Sequence, residues 1–113
     1  MNESNRPRSY EGEDIRELDA LAEAILLLRN EDEIKRFLRD LCTRAELEAL
    51  AHRWQIARLL DERLPYLEVA ERAEASTATV TRVAQWLRHG AGGYRIALER
   101  AGSTAKRTGK EEA

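Results

Sequence analysis

The chemistry-bearing side chains of this chain cluster in one short stretch: Thr77, Ala78, Thr79, Thr81, Arg82, Gln85 and Arg88. Hydroxyls and a carboxamide exchange hydrogen bonds with base edges, a guanidinium forks onto guanine or phosphate, and a methyl packs on thymine. Spaced over three turns of one helix, this set suits the major groove of DNA. It holds no nucleophile paired with a base.

Catalytic and metal chemistry find little support elsewhere. His52 and His89 have no cysteine or carboxylate at metal-ligand spacing and are expected to be surface or helix-terminal residues. The run Glu31-Asp32-Glu33 is expected in a helix first turn, where carboxylates meet the positive end of the dipole. No phosphate-binding glycine loop or nucleophile elbow occurs, so neither an enzyme nor a cofactor nor a metal site is expected.

Those groups need a rigid mount, and the segment Tyr66 to Leu87 supplies it. Val69, Ala70 and Ala73 form one apolar stripe; Val80, Val83, Ala84 and Leu87 form a second. Between them stands Glu74-Ala75-Ser76, in which Ser76 can cap the second helix. Ala70 allows the two helices to approach closely, so a helix-turn-helix is predicted over 66–89. Most such turns place glycine at the position of Glu74, and a side chain there costs about 1 kcal/mol in the left-handed region. A slightly altered or looser turn is therefore expected.

The remaining chain reads as helices throughout. Ile15, Leu18, Leu21, Ala22, Ile25 and Leu28 keep a 3.6-residue period, with Asp14 and Glu17 at capping-box spacing, which predicts a helix from about Asp14. Asn30 with Glu33 opens a second helix to about Leu41, and Thr43 with Glu46 a long third one through Arg63, ended by Pro65. On that helix Leu47, Leu50, Ala51, Trp54, Ala57 and Leu60 share one side, and Ile56 and Leu59 another. The glycines of RHGAGG break the recognition helix, and Tyr94, Ala97, Leu98 and Ala101 define a short last one. Residues 1–13, including Arg6-Pro7-Arg8, and 102–113 read as disordered tails, leaving one folded domain over 14–101.

The expected fold is all-α, with about six helices. The over-wide apolar face at Ile25-Leu26-Leu27-Leu28 makes the first helix either central to the fold or covered by another copy of the chain, and with the 113-residue length it fits an interlaced homodimer that shares its core. No apolar run approaches the roughly 18 residues of a membrane helix, and no signal-peptide core opens the chain, so a cytoplasmic location is expected. The single cysteine, Cys42, lies beside the stripe Ile34, Phe37, Leu38, Leu41 and is expected to be a buried thiol. Net charge is −2. Between Tyr66 and Arg100 five arginines face four glutamates, so any hold on DNA must come from local placement of charge.

The segment LCTRAELEALAHRWQIARLL, followed by EVAERAEASTATVTRVAQWLRHGAGGYRIALER, resembles the Trp-repressor superfamily. It is similar above all to the small YerC/YecD-type Trp-repressor-like proteins, which share an ASTAT start to the recognition helix and a Gly-Ala-x-Gly-Tyr motif behind it. The resemblance covers about Asp14 to Arg100. It implies an interlaced homodimer whose two heads bind operator DNA, about 34 Å apart on an approximate palindrome. It also implies a ligand pocket: Thr43, Arg53 and Arg82 match three residues that hold tryptophan in the true repressor, but Trp86 stands where that protein has serine. An indole cannot replace the hydroxyl. Either Trp86 fills the ligand's space and stacks on Arg82, or it packs on the central helix or a partner chain. L-Tryptophan is accordingly not expected as an effector.

The function expected is a sequence-specific, repressor-type DNA-binding transcriptional regulator. A helix-turn-helix kept as a protein-interaction module, and a regulator responding to a small molecule other than tryptophan, are the alternatives.

Overall fold

The computed structural model describes the backbone of residues 15–112 and the side chains of residues 15–102. Six helices and no strand occur among the described residues: α1 Leu18–Leu27, α2 Glu31–Leu41, α3 Arg44–Asp61, α4 Tyr66–Ala73, α5 Thr77–His89 and α6 Gly93–Glu112.

Three of the helix starts are fixed by the side chains that the sequence singles out. Asn30 Oδ1 accepts from Glu33 N at 2.9 Å, and Ser76 Oγ accepts from Thr79 N at 3.1 Å. At α3 the capping box is complete: Thr43 Oγ1 accepts from Glu46 N, and Glu46 Oε1 accepts from Thr43 N at 2.8 Å. Each satisfies donors that a helix N-terminus leaves unpaired.

Helix boundaries differ from expectation in three places. Helix α1 starts at Leu18 and not near Asp14, because Ile15 to Glu17 form a turn closed by Leu18 N donating to Ile15 O at 3.0 Å. Glu17 is its N-cap, left-handed at φ 65°, and makes no side-chain cap bond; Asp14 lies outside the described residues. Helix α3 stops at Asp61, before Arg63. Leu64 precedes Pro65 and is disfavoured in the α region, and Arg63 turns the chain out of the helix at φ 64°. The last helix does not end near Ala101 but continues to Glu112. Lys106, Arg107, Lys110 and Glu111 are good helix formers, no proline interrupts them, and Gly102 and Gly109 weaken the run without stopping it.

Helix α3 is the hub, packed against α2, α4, α5 and α6. Its Ile56 and Ala57 meet Val69, Ala70 and Ala73 of α4, Val80 and Val83 of α5 and Leu98 of α6 in one buried cluster. Trp54, Leu59, Leu60, Leu64, Tyr66, Leu87 and Tyr94 cover its edges half-buried. The first half of α3 is different: Ala51 is exposed and Leu50 is 41% exposed, since none of the described elements lies over them. Helices α1 and α2 bury no residue at all, and Leu26 and Leu27 are 85% and 77% exposed. Cys42, expected to be buried, is half-buried at the end of α2 for the same reason.

The turn between α4 and α5 is built as the stripes demand. Glu74 is left-handed at φ 54°, ψ 50°, and Ala75 N reaches back to Ala70 O at 2.9 Å, closing the last turn of α4. The turn thus keeps the usual conformation with a glutamate in it. Behind α5, a Cβ at Gly90 would come within 2.5 Å of the Trp86 carbonyl oxygen, so that stop requires glycine.

Replacing Glu74 by glycine should remove the left-handed penalty and raise the free energy of unfolding by about 1 kcal/mol, offset in part by the freer unfolded chain. Urea unfolding followed by circular dichroism reads this directly; an unchanged or lowered midpoint would show that the Glu74 side chain stabilises the turn in its own right.

Candidate nucleic-acid interface

Burial divides α5 into two faces. Val80, Val83 and Ala84 point into the core, whereas Thr77, Ala78, Thr81, Arg82, Gln85 and Arg88 are exposed. Thr79 is drawn away from this outer face: half-buried, its Oγ1 lies 3.0 Å from Ser76 Oγ, so the hydroxyl serves the cap. The exposed set begins at the helix N-terminus, the end that meets base edges in helix-turn-helix docking. Arg88 lies eleven residues on, about 16 Å along the axis. Its Nη2 donates to Tyr66 Oη at 2.7 Å, tying the far end of α5 to the first residue of α4.

The charges around this face are arranged locally. Arg72 is neutralised by Glu68 at 2.7 Å on α4. Arg82 and Arg88 make no ion pair among the described residues. The outer face of α5 is therefore uniformly neutral or positive, although the chain as a whole is acidic.

Arg53, Arg82 and Trp86 come together. They line one cavity of about 200 Å³ between α3 and α5, with Ala49, His52, Thr79 and Val83. Trp86 is half-buried there with its Nε1 wholly covered, so the indole occupies the junction of the two helices. What remains is smaller than the roughly 300–1,000 Å³ of ordinary ligand pockets. Thr43 does not line this cavity. It caps α3 about 15 Å from Arg53 along the helix axis, its hydroxyl engaged by Glu46 N.

His52 is not the surface or helix-terminal residue that the sequence suggests but is half-buried in mid-α3, with Nε2 donating to the Ala73 carbonyl oxygen at 2.7 Å. That carbonyl belongs to the last turn of α4 and has no partner within the helix, so the imidazole both satisfies it and pins the head to α3. The signal was present: His52 stands one turn before Ile56, on the buried side of α3. Tyr66, which holds Arg88, had no comparable signal, because its partner lies 22 residues away. Among the described residues, no three His, Cys, Asp or Glu side chains are grouped to hold a metal ion, and no helix is long and apolar enough to cross a membrane.

The chain is similar to known proteins in sequence and in fold. The YerC protein of Bacillus subtilis strain 168, itself uncharacterized, is 42% identical over 89 residues, covering 79% of this chain and 86% of its own. A crystal structure of a TrpR-like protein from Eubacterium eligens superposes with a TM-score of 0.73 at 39% identity, over 79% of this chain and 92% of that one. One of a candidate Trp repressor from Staphylococcus aureus gives 0.74 at 35% identity, over 82% and 93%. The profile of the Trp repressor protein family matches residues 16–102, the whole of α1 to α5 and the start of α6. With its helix order, its head and its relatives in agreement, the chain belongs to the Trp repressor family, a family of helix-turn-helix DNA-binding regulators.

Proposed function

We propose that this protein is a sequence-specific transcriptional regulator of repressor type. It works in the cytoplasm as a homodimer, reads operator DNA through α5, and has no catalytic role of its own. One observation carries this reading: a capped helix that buries Val80, Val83 and Ala84 presents Thr77, Ala78, Thr81, Arg82, Gln85 and Arg88 outward, with no acidic residue in the helix itself to repel phosphate. Thr79, with its hydroxyl turned to the cap, supports the position of Thr77 and Thr81 and reads no base itself.

The homodimer rests on what one chain leaves uncovered. Leu26, Leu27, Leu41, Leu50 and Ile34 are exposed on α1, α2 and the first half of α3. Isolated apolar side chains on a surface are ordinary, but a contiguous half-molecule that buries nothing is the mark of an interface. Two copies would bury it together and set two heads on one palindromic operator. Free L-tryptophan is not the effector in this reading, because Trp86 already stands in the α3–α5 junction that the ligand would need.

Thr77→Glu with Thr81→Glu should abolish the shift of a target DNA fragment in electrophoresis while leaving helicity intact, since both positions lie off the core. An unchanged shift would place the reading head elsewhere. Leu26→Glu with Leu27→Glu should give a monomer of reduced helicity in sedimentation and circular dichroism, because an interlaced protomer has little stability alone. A fully helical wild-type monomer at micromolar concentration would sink the dimer. Calorimetry with millimolar L-tryptophan should show no saturable heat. Trp86→Ser should bind DNA more weakly than wild type and recover in part when tryptophan is added; saturable heat from the wild type would mean that the pocket is open.

A further inference from the structure

A second concavity lies on the head and shares no lining residue with the Arg53–Arg82–Trp86 cavity. It is a groove of about 380 Å³ where the C-terminal ends of α3 and α5 meet the starts of α4 and α6. Arg63, Arg88 and Arg95 stand around it, with Tyr66, Leu64 and Leu87 among the other walls, and among the described residues no Asp or Glu lines it. The ion pairs among the described residues engage Lys35, Arg36, Arg44 and Arg72, so these three guanidiniums have no carboxylate partner among the described residues.

Their placement is held from beneath. Arg88 Nη2 donates to Tyr66 Oη at 2.7 Å, and Arg95 Nη2 points to the Leu87 carbonyl oxygen at 3.5 Å. Each leaves further N–H groups for an acceptor. Arg63 projects from a left-handed backbone, φ 64°, at a position where glycine would cost less. Three like charges gathered about one groove repel one another, and an anion among them converts that repulsion into attraction. Guanidinium groups match carboxylate and phosphate oxygens in a two-pronged geometry. The leucine walls ask for more than a bare ion, because only a ligand with an apolar body would take them out of water.

We infer that this groove binds an organic anion: a carboxylate or phosphate group, met by Arg63, Arg88 and Arg95, on a small aryl or alkyl body lying against Leu64 and Leu87. The volume falls within the range of ordinary small-molecule sites. An occupied groove would join both head helices to α3 and α6 at once. The inference does not rest on DNA binding, and its test contains no DNA.

The probe is phenyl phosphate, titrated at constant ionic strength into the isotope-labelled full chain and followed by amide NMR shifts. Saturable shifts are expected at Tyr66, Arg88 and Arg95, with inorganic phosphate and phenol each binding at least about tenfold more weakly. Arg63→Gln with Arg95→Gln should weaken phenyl phosphate about tenfold or more at unchanged circular dichroism, through loss of charge-assisted hydrogen bonds. Should the double variant lose helicity, Arg95→Gln alone, exposed at the start of α6, carries the comparison. The inference is overturned by any of three results. One is no saturable shift up to about 10 mM, as when a second copy of the chain covers the groove. Another is inorganic phosphate binding as tightly as the ester, the mark of a site for bare phosphate such as a nucleic-acid backbone. The third is shifts that survive in the folded variant.

Discussion

How near α4 comes to α5 governs the head. Val69, Ala70 and Ala73 put almost no bulk between α4 and its neighbours, and Val80 and Val83 close the space from the other side without a residual exposed edge. A larger side chain at Ala70 or Ala73 would wedge the helices apart, at a cost of about 1–3 kcal/mol for overpacking. The turn follows from the approach: only three residues join the helices, and they fit because Glu74 accepts a left-handed backbone and Ala75 bonds back to Ala70. His52 then secures the same end of α4 to α3. Apolar contact, strained turn and side-chain bond all converge on the last turn of α4, and the outward direction of α5 is their product.

The charge pattern completes that product. On α2, α3 and α4 the pairs Glu31–Lys35, Asp32–Arg36, Glu48–Arg44 and Glu68–Arg72 are four residues apart and solvated. Each adds only a few tenths of a kcal/mol. Their larger effect is on the field, because they neutralise cations away from the reading face while Arg53, Arg82 and Arg88 keep theirs. An acidic chain can in this way carry a locally positive surface.

Much of this was legible in the sequence, because local rules decide it. Caps at Asn30, Thr43 and Ser76 depend on residues three positions apart, and the α4 and α5 stripes are periodicities within single helices. The turn position at Glu74 was legible from its place in the motif, but the altered or looser turn expected from its side chain is not formed: the glutamate takes the usual left-handed conformation at φ 54°. The chain departed from expectation where the deciding partner was absent from the window. Ile15 kept the apolar period of α1 yet stands outside it, Leu50 and Ala51 shared a stripe with Ala57 yet have no cover in one chain, and the last helix outran an end drawn from polar composition alone. Of the residues singled out for a ligand pocket, Arg53, Arg82 and Trp86 line one cavity and Thr43 caps α3. His52 and Tyr66 act through contacts more than twenty residues away, which no local pattern encodes.

Among the described residues, every buried side chain lies between Ile56 and Leu98. The contacts that define this core fall within one stretch of the chain, and the loops between α3, α4 and α5 are only a few residues long. Closing such loops costs little entropy, and topologies of this kind assemble quickly. The head has the means to form as an event within one molecule, set by time and not by concentration. The exposed apolar side chains of α1 and α2 take no part in that core, and in the homodimer proposed above their burial would be set by concentration.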